Sequence, residues 1–319
     1  MMTKNEFMNY VAAKVLVYVP DDLKENLVVE PVTVVKMNDQ KLNGLRFTKS
    51  TNEPSPTHYL DGAFEAYENG VSPYAIAKDL ADEYARSYRE SPVMEMANEK
   101  MNFEGKDIAL RVLDTRLNKE FLKDVPYMSV GNGLALVCDV RMQAHDNGFY
   151  STIVNNNVLE MMGRDKQDVF REAITEAWKT DGPVMMSMQE RIFTDSPTNL
   201  LNEGVDLSDN QDMYIISNES GVHGAAALFY PDVQEKIADA VGSSYYALPS
   251  SVDEFIIVPE CLGVSPGELS IMVRDANRTI VEPNQVLSDT VLRYDRDSKA
   301  LHDVTVNREM NARMAERMC

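Results

Sequence analysis

Two polar stretches hold most of the groups in this chain whose types and spacing suit chemistry: Asn218-Glu219-Ser220-Gly221-Val222-His223 and Ser250-Ser251-Val252-Asp253-Glu254. Glu219, Ser220, His223, Ser251, Asp253 and Glu254 are the candidate residues. A histidine oriented by a carboxylate and close to a hydroxyl is the raw material of acid–base or nucleophilic catalysis. A small-molecule enzyme, such as a hydrolase, would use such groups. The same residue types also favour turns, because serine, aspartate and asparagine bond their local backbone, and Gly221 and Gly224 read as turn glycines.

Short apolar runs must position these turns. Tyr245 to Leu248 and Phe255 to Val258, bounded by Pro249 and Pro259, read as buried strands around the second turn; Met213 to Ser217 and Ala225 to Phe229 read as strands around the first. If all four share one sheet, the two turns meet at its edge. Further along, Ser265-Pro266-Gly267-Glu268 is a capping box, and it opens a helix with Leu269, Met272, Val273 and Ala276 on one face. Arg293 to Val304 closes as a hairpin.

The chain opens with a second capping box, Thr3-Lys4-Asn5-Glu6, and Phe7, Val11, Val15 and Tyr18 repeat at helical spacing up to Pro20. Leu27 to Met37 and Leu42 to Lys49 form a valine-rich hairpin, loop composition follows over 50–56, and the pattern turns helical from Tyr59. Ser72-Pro73 and Ser91-Pro92 start helices. Ile108 to Leu113 and Leu134 to Val140 are strands, with a hairpin turn at Asn147-Gly148. Asn156 to Met162 and Asp165 to Lys179 are helices, and Asp195 to Asp212 is loop. Hairpins outnumber strand–helix alternations, so the expected fold is α+β, with mixed or antiparallel sheets and amphipathic helices in two lobes. The lobes are placed at 1–182 and 183–305, with a helical or frayed tail over 306–319 that carries Met310, Met314 and Met318 on one stripe.

Composition removes several function classes. The formal net charge of −20 repels phosphate backbones, so nucleic acid is not an expected partner. No apolar run reaches the roughly 18 to 20 residues that span a bilayer, and Met1-Met2-Thr3-Lys4-Asn5-Glu6 lacks the features of a secretory leader. Cys138, Cys261 and Cys319 are odd in number and far apart, which fits a reducing cytoplasm. Four scattered histidines offer no metal spacing. Asp206, Asp209 and Asp212 lack the glycine and glutamate of a calcium loop, so a metal or metabolite sensor on that loop is a third, weaker option. No phosphate loop or nucleophile elbow is present, and Gly131-Asn132-Gly133 reads as a turn. No cofactor and no metal are expected.

The segments Ser-Asn-Glu-Ser-Gly-Val-His-Gly-Ala-Ala (217–226) and Leu-Pro-Ser-Ser-Val-Asp-Glu (248–254) together resemble a domain-of-unknown-function family of gut Clostridia, in the Firmicutes. The resemblance implies a bacterial, cytoplasmic protein and carries no catalytic residue, cofactor or partner with it. With no strong catalytic signature beside a normal folded composition, the leading expectation is a non-catalytic binding or adaptor protein with a protein partner. The small-molecule enzyme built on 218–223 and 250–254 is the alternative.

Overall fold

The computed structural model describes residues 1–49, 55–90, 108–143, 149–193, 198–202 and 204–306. The helix expected after Ser91-Pro92, the turn at Asn147-Gly148 and the methionine stripe at Met310, Met314 and Met318 lie outside these residues. The chain is α+β, built on antiparallel sheets. It forms two compact units, Met1–Asn102 with Met142–Tyr150, and Phe103–Arg141 with Ser151–Cys319.

In the first unit the helix Lys4–Tyr18 starts at the capping box, where the Thr3 hydroxyl and the Glu6 carboxylate satisfy each other's backbone amides. Its buried Phe7, Val11 and Val15 share a core with Ile76, Ala77, Leu80 and Tyr84 of the helix Pro73–Glu90. Strands β1 (Val28–Val35) and β2 (Lys41–Thr48) form the expected hairpin, and β3 (Thr57–Tyr59) adds to β2. β3 falls just past the loop composition of 50–56 and takes in Tyr59, where the helical pattern was expected to begin; three residues are too few to show a period. The helix that follows starts at Asp61.

Of the two remaining sheets, the larger lies wholly in the second unit and the smaller mostly so. β4 (Ile108–Asp114) and β5 (Met128–Gly131) flank β6 (Leu134–Gln143), with β7 (Phe149–Ile153) also on β6. The helix Lys166–Thr180 packs on this sheet, and its Val169 and Phe170 meet Cys138. The larger sheet runs β13–β12–β10–β11–β9–β8, from β8 (Pro183–Ser187), β9 (Tyr214–Asn218), β10 (Tyr245–Ser251), β11 (Glu254–Pro259), β12 (Leu292–Asp295) and β13 (Ala300–Asp303). Both of its edges are met by asparagine side chains. Asn199 bonds Met185 N and Pro183 O on β8, while Asn132 bonds Leu301 O and Asp303 N on β13. Unpaired edge groups invite pairing with other chains, and these contacts blunt both edges.

Three details correct the expectations. Ala225 to Phe229 is not a strand: Gly224–Phe229 is a 3-10 turn lying between β9, β11 and β4. A short, wholly buried apolar run reads alike as strand or helix, and here Gly221 and His223, both at positive φ, fold the chain back off β9. Pro249 does not end its strand, which continues through a bulge to Ser251. β12 pairs β10 only at Tyr245 to Ala247, so the missing proline N–H faces no partner there. On the helix Pro266–Thr279, Met272 is half exposed and the buried face is Leu269, Ser270 and Val273.

Candidate functional site

β9 and β11 are neighbours in register, with Phe255 opposite Ile216, so the turns that follow β9 and precede β11 fall side by side. They meet through bonds from side chain to backbone. The His223 N–H donates to Asp253 Oδ1 at 2.7 Å and the Ser217 hydroxyl donates to the Asp253 carbonyl at 2.8 Å. Gly224 sits at this crossing, with Ser217 Oγ, Asn218 N and the Asp253 carbonyl crowded around its Cα.

The candidate side chains then diverge. Ser220 donates its hydroxyl to Asp181 Oδ2 (2.9 Å) and its N–H to Asp181 Oδ1 (2.8 Å). Ser251 Oγ accepts the Asp253 N–H at 3.1 Å. Glu254 accepts from Ser250 and lies 3.5 Å from Arg191 Nε. Glu219 turns outward beside Gly182, whose carbonyl takes its N–H. Among the described residues neither serine hydroxyl hydrogen-bonds the His223 ring, so no hydroxyl is paired with the imidazole as a nucleophile would be.

The His223 ring instead faces charges on the smaller sheet. Residues two apart on a strand share a face, which puts Asp139 and Arg141 of β6 together. Arg111 of β4 stands opposite Val137 and therefore diagonal to Asp139 on that same face. Arg111 Nε and Nη2 reach Asp139 Oδ2 at 2.9 and 2.8 Å. Arg141 Nη1 reaches Asp181 Oδ2 at 3.0 Å, where Asn218 Nδ2 also donates at 2.9 Å. Two guanidiniums thus face two buried carboxylates, and Asp181 gathers β6, β9 and the first turn onto one group. A second polar bridge joins the sheets at Asp114, which accepts from Arg116 and from Ser288 (2.6 Å), while Arg116 also bonds Thr290.

Burial and the two arginines push the His223 imidazole down to about 3. Its Nδ1 lies 3.9 Å from Asp139 Oδ2, too long for a hydrogen bond, and the neutral ring makes no ion pair at neutral pH. Burial pushes the Asp139 carboxyl up, against the pull of Arg111 and Arg141. It pushes the Tyr230 phenol up as well, with Asp181 adding to the shift.

These shifts set a pH dependence. The unfolded imidazole titrates near 6.5 and the folded one near 3, so between those values the unfolded chain binds more protons and stability falls with falling pH. Asp139 acts in the opposite sense, its contribution being lost as pH rises through its raised folded value. His223→Asn removes the ring while keeping a residue that tolerates positive φ. Thermal melts below pH 6.5 should therefore show a shallower acid loss in the variant than in the parent chain. Parallel slopes would mean that the ring charges freely in the folded protein.

Arg111, Asp139, Arg141, Asp181 and Tyr230 were not picked out from the sequence. The available signal was the pair of charges inside Leu-Ala-Leu-Val-Cys-Asp-Val-Arg, since charges are rare within buried strands. Among the described residues no three of His, Cys, Asp and Glu are placed to hold a metal ion. Asp206 caps the Ser208 N–H at 3.0 Å on an exposed loop. Among those residues, too, no helix is long and apolar enough to cross a membrane. No curated protein and no solved structure matches the chain. Residues 4–296, including both turns and the charged bracket, match a family of unknown function, DUF5688, and the chain belongs to that family.

Proposed function

We propose that this chain is a bacterial, cytoplasmic, non-catalytic binding or adaptor protein whose partner surface is a groove lined by no residue of the two polar turns. The observation that carries this reading is the groove itself. A groove of about 590 Å3 runs along the helix Pro266–Thr279, lined by the apolar Leu117, Ile271 and Val286 and by the polar Arg274, Asp275, Asn277, Arg278 and Asp289. Apolar floors with a few convergent charged groups are the usual form of binding sites. At the turns, by contrast, the Ser220 hydroxyl is engaged with Asp181 and the Ser251 hydroxyl with backbone, so among the described residues neither is paired with the His223 ring as the rival small-molecule enzyme would need.

Native mass spectrometry of the gently isolated chain, run beside its Ile271→Asp variant, tests this. A protein held at fixed stoichiometry by the parent and lost from the folded variant is the expected result. A small molecule retained by the variant but lost from His223→Asn would overturn the reading in favour of the enzyme.

A further inference from the structure

In the first unit β1 stands at the edge of its sheet, with β2 on one side only. Lys36 N–H donates to Gln40 O at 2.8 Å across the hairpin, so the even positions Val28, Glu30, Val32 and Val34 turn their backbone groups toward β2. The bonds that leave β2 for the other side agree, since Leu60 N–H reaches Asn43 O and Phe47 N–H reaches Pro56 O, both from odd positions of β2. Val29, Pro31, Thr33 and Val35 therefore turn outward, and among the described residues their backbone groups have no partner. Pro31 falls on this outer side, where its missing N–H costs the β1–β2 ladder nothing. No residue of β1 is buried, whereas β4, also an edge strand, is buried at every position but Arg111. The asparagine side chains that blunt both edges of the larger sheet have no counterpart on β1 among the described residues.

We propose that β1 pairs antiparallel with β1 of a second copy of this chain, about a two-fold axis at Val32, so that one sheet continues across both copies. Pro31 selects the register. With the axis at Val32, Val29 faces the partner's Val35 and Pro31 faces the partner's Thr33, so the outward N–H groups of Val29, Thr33 and Val35 all meet carbonyls. An axis at Pro31 would set the two prolines opposite each other with no bond between them, and one at Thr33 would carry Val29 past the end of the partner strand. Charge selects the same partner. On the face shared by the even positions, Lys36 falls diagonal to the partner's Glu30, within reach of long side chains, and the two-fold repeats the pair. No like charges stand opposite. From 28 to 36 one lysine balances one glutamate, so this edge is locally neutral on a chain of net charge −20 whose copies otherwise repel. The strand lies in the first unit and the groove in the second, so the two readings stand or fall separately.

A cysteine on the axis tests this in the full chain carrying Cys261→Ser and Cys319→Ser. Cys138 stays reduced, because it is buried and burial pushes its thiol pKa up. Val32→Cys would set two thiols opposite each other in a non-hydrogen-bonded pair, about 4.5 Å between Cβ atoms, near disulfide range. Val34→Cys would leave its two thiols about 13 Å apart along the strands. Oxidised glutathione takes the two thiol hydrogens as the S–S bond forms, giving two reduced glutathiones. The covalent dimer should form about tenfold more from Val32→Cys than from Val34→Cys, the gain that pairing gives over random collision. Adding Thr33→Pro removes an outward N–H and no bond within the chain, and should abolish that excess. Equal yields at the two positions, or an excess that survives Thr33→Pro in a folded chain, would overturn the proposal. A second set leaves the backbone alone: at low salt, Val32→Cys chains with Glu30→Lys, or with Lys36→Glu, should cross-link less by themselves and regain the parent yield when mixed. A mixture that gives no more dimer than its components would also overturn it.

Discussion

Gly224→Ala should cost the second unit about 3 kcal/mol or more, among the larger penalties a single methyl group can impose. A Cβ at this position would lie 2.0 Å from Ser217 Oγ and 2.7 Å from both Asn218 N and the Asp253 carbonyl. Two of those three atoms are backbone of β9 and of the second turn, and the third is held by its bond to the Asp253 carbonyl. No rotamer change relieves the contact, so β9 and the turn must separate. Gly221→Ala is the control. Its Cβ meets nothing within 4 Å, and the cost is only the strain of φ +67, about 1 kcal/mol. Trp178, the chain's single tryptophan, lies on the helix Lys166–Thr180 of the same unit and reports urea unfolding directly. Equal midpoints for the two variants would show that the turns do not cross at Gly224.

Asp181→Ala is expected to destabilise the same unit by roughly 3–5 kcal/mol, the range for breaking a buried ion pair from one side. One carboxylate accepts from Arg141, Asn218, Ser220 N and Ser220 Oγ, so its removal strands a guanidinium and three further donors together. Asp181→Asn retains acceptor and shape but not charge, and should fall between the parent and the alanine variant. The double variant Arg141→Met with Asp181→Ala should recover part of the loss, because it removes the stranded charge as well. A full, unrelieved loss in the double variant would mean that Asp181 acts through the Asn218 and Ser220 bonds alone.

The elements were largely legible because their determinants are local. Both capping boxes, the Ser72-Pro73 start, the valine-rich hairpin and the closing hairpin at Leu292–Asp303 each involve residues a few positions apart, whose backbone bonds are decided within the segment. The α+β class followed from their order. That the two turns converge was legible as an expectation, since it needs only four strands in one sheet.

What each side chain does there was not legible. Ser220 points to Asp181, 39 positions away, and the His223 ring faces Asp139 across the space between the sheets. Whether a hydroxyl activates, caps a turn or braces a carboxylate depends on the strand that arrives opposite it, and composition and period carry no record of that pairing. The same limit explains Ala225 to Phe229, where an apolar run short enough for either structure became a 3-10 turn only because two sheets close around it. The sequence by itself determined the list of helices and hairpins and where the turns fall. The tertiary structure alone decided the buried bracket of Arg111, Asp139, Arg141 and Asp181, because a desolvated charge is tolerable only where distant chain delivers its partner.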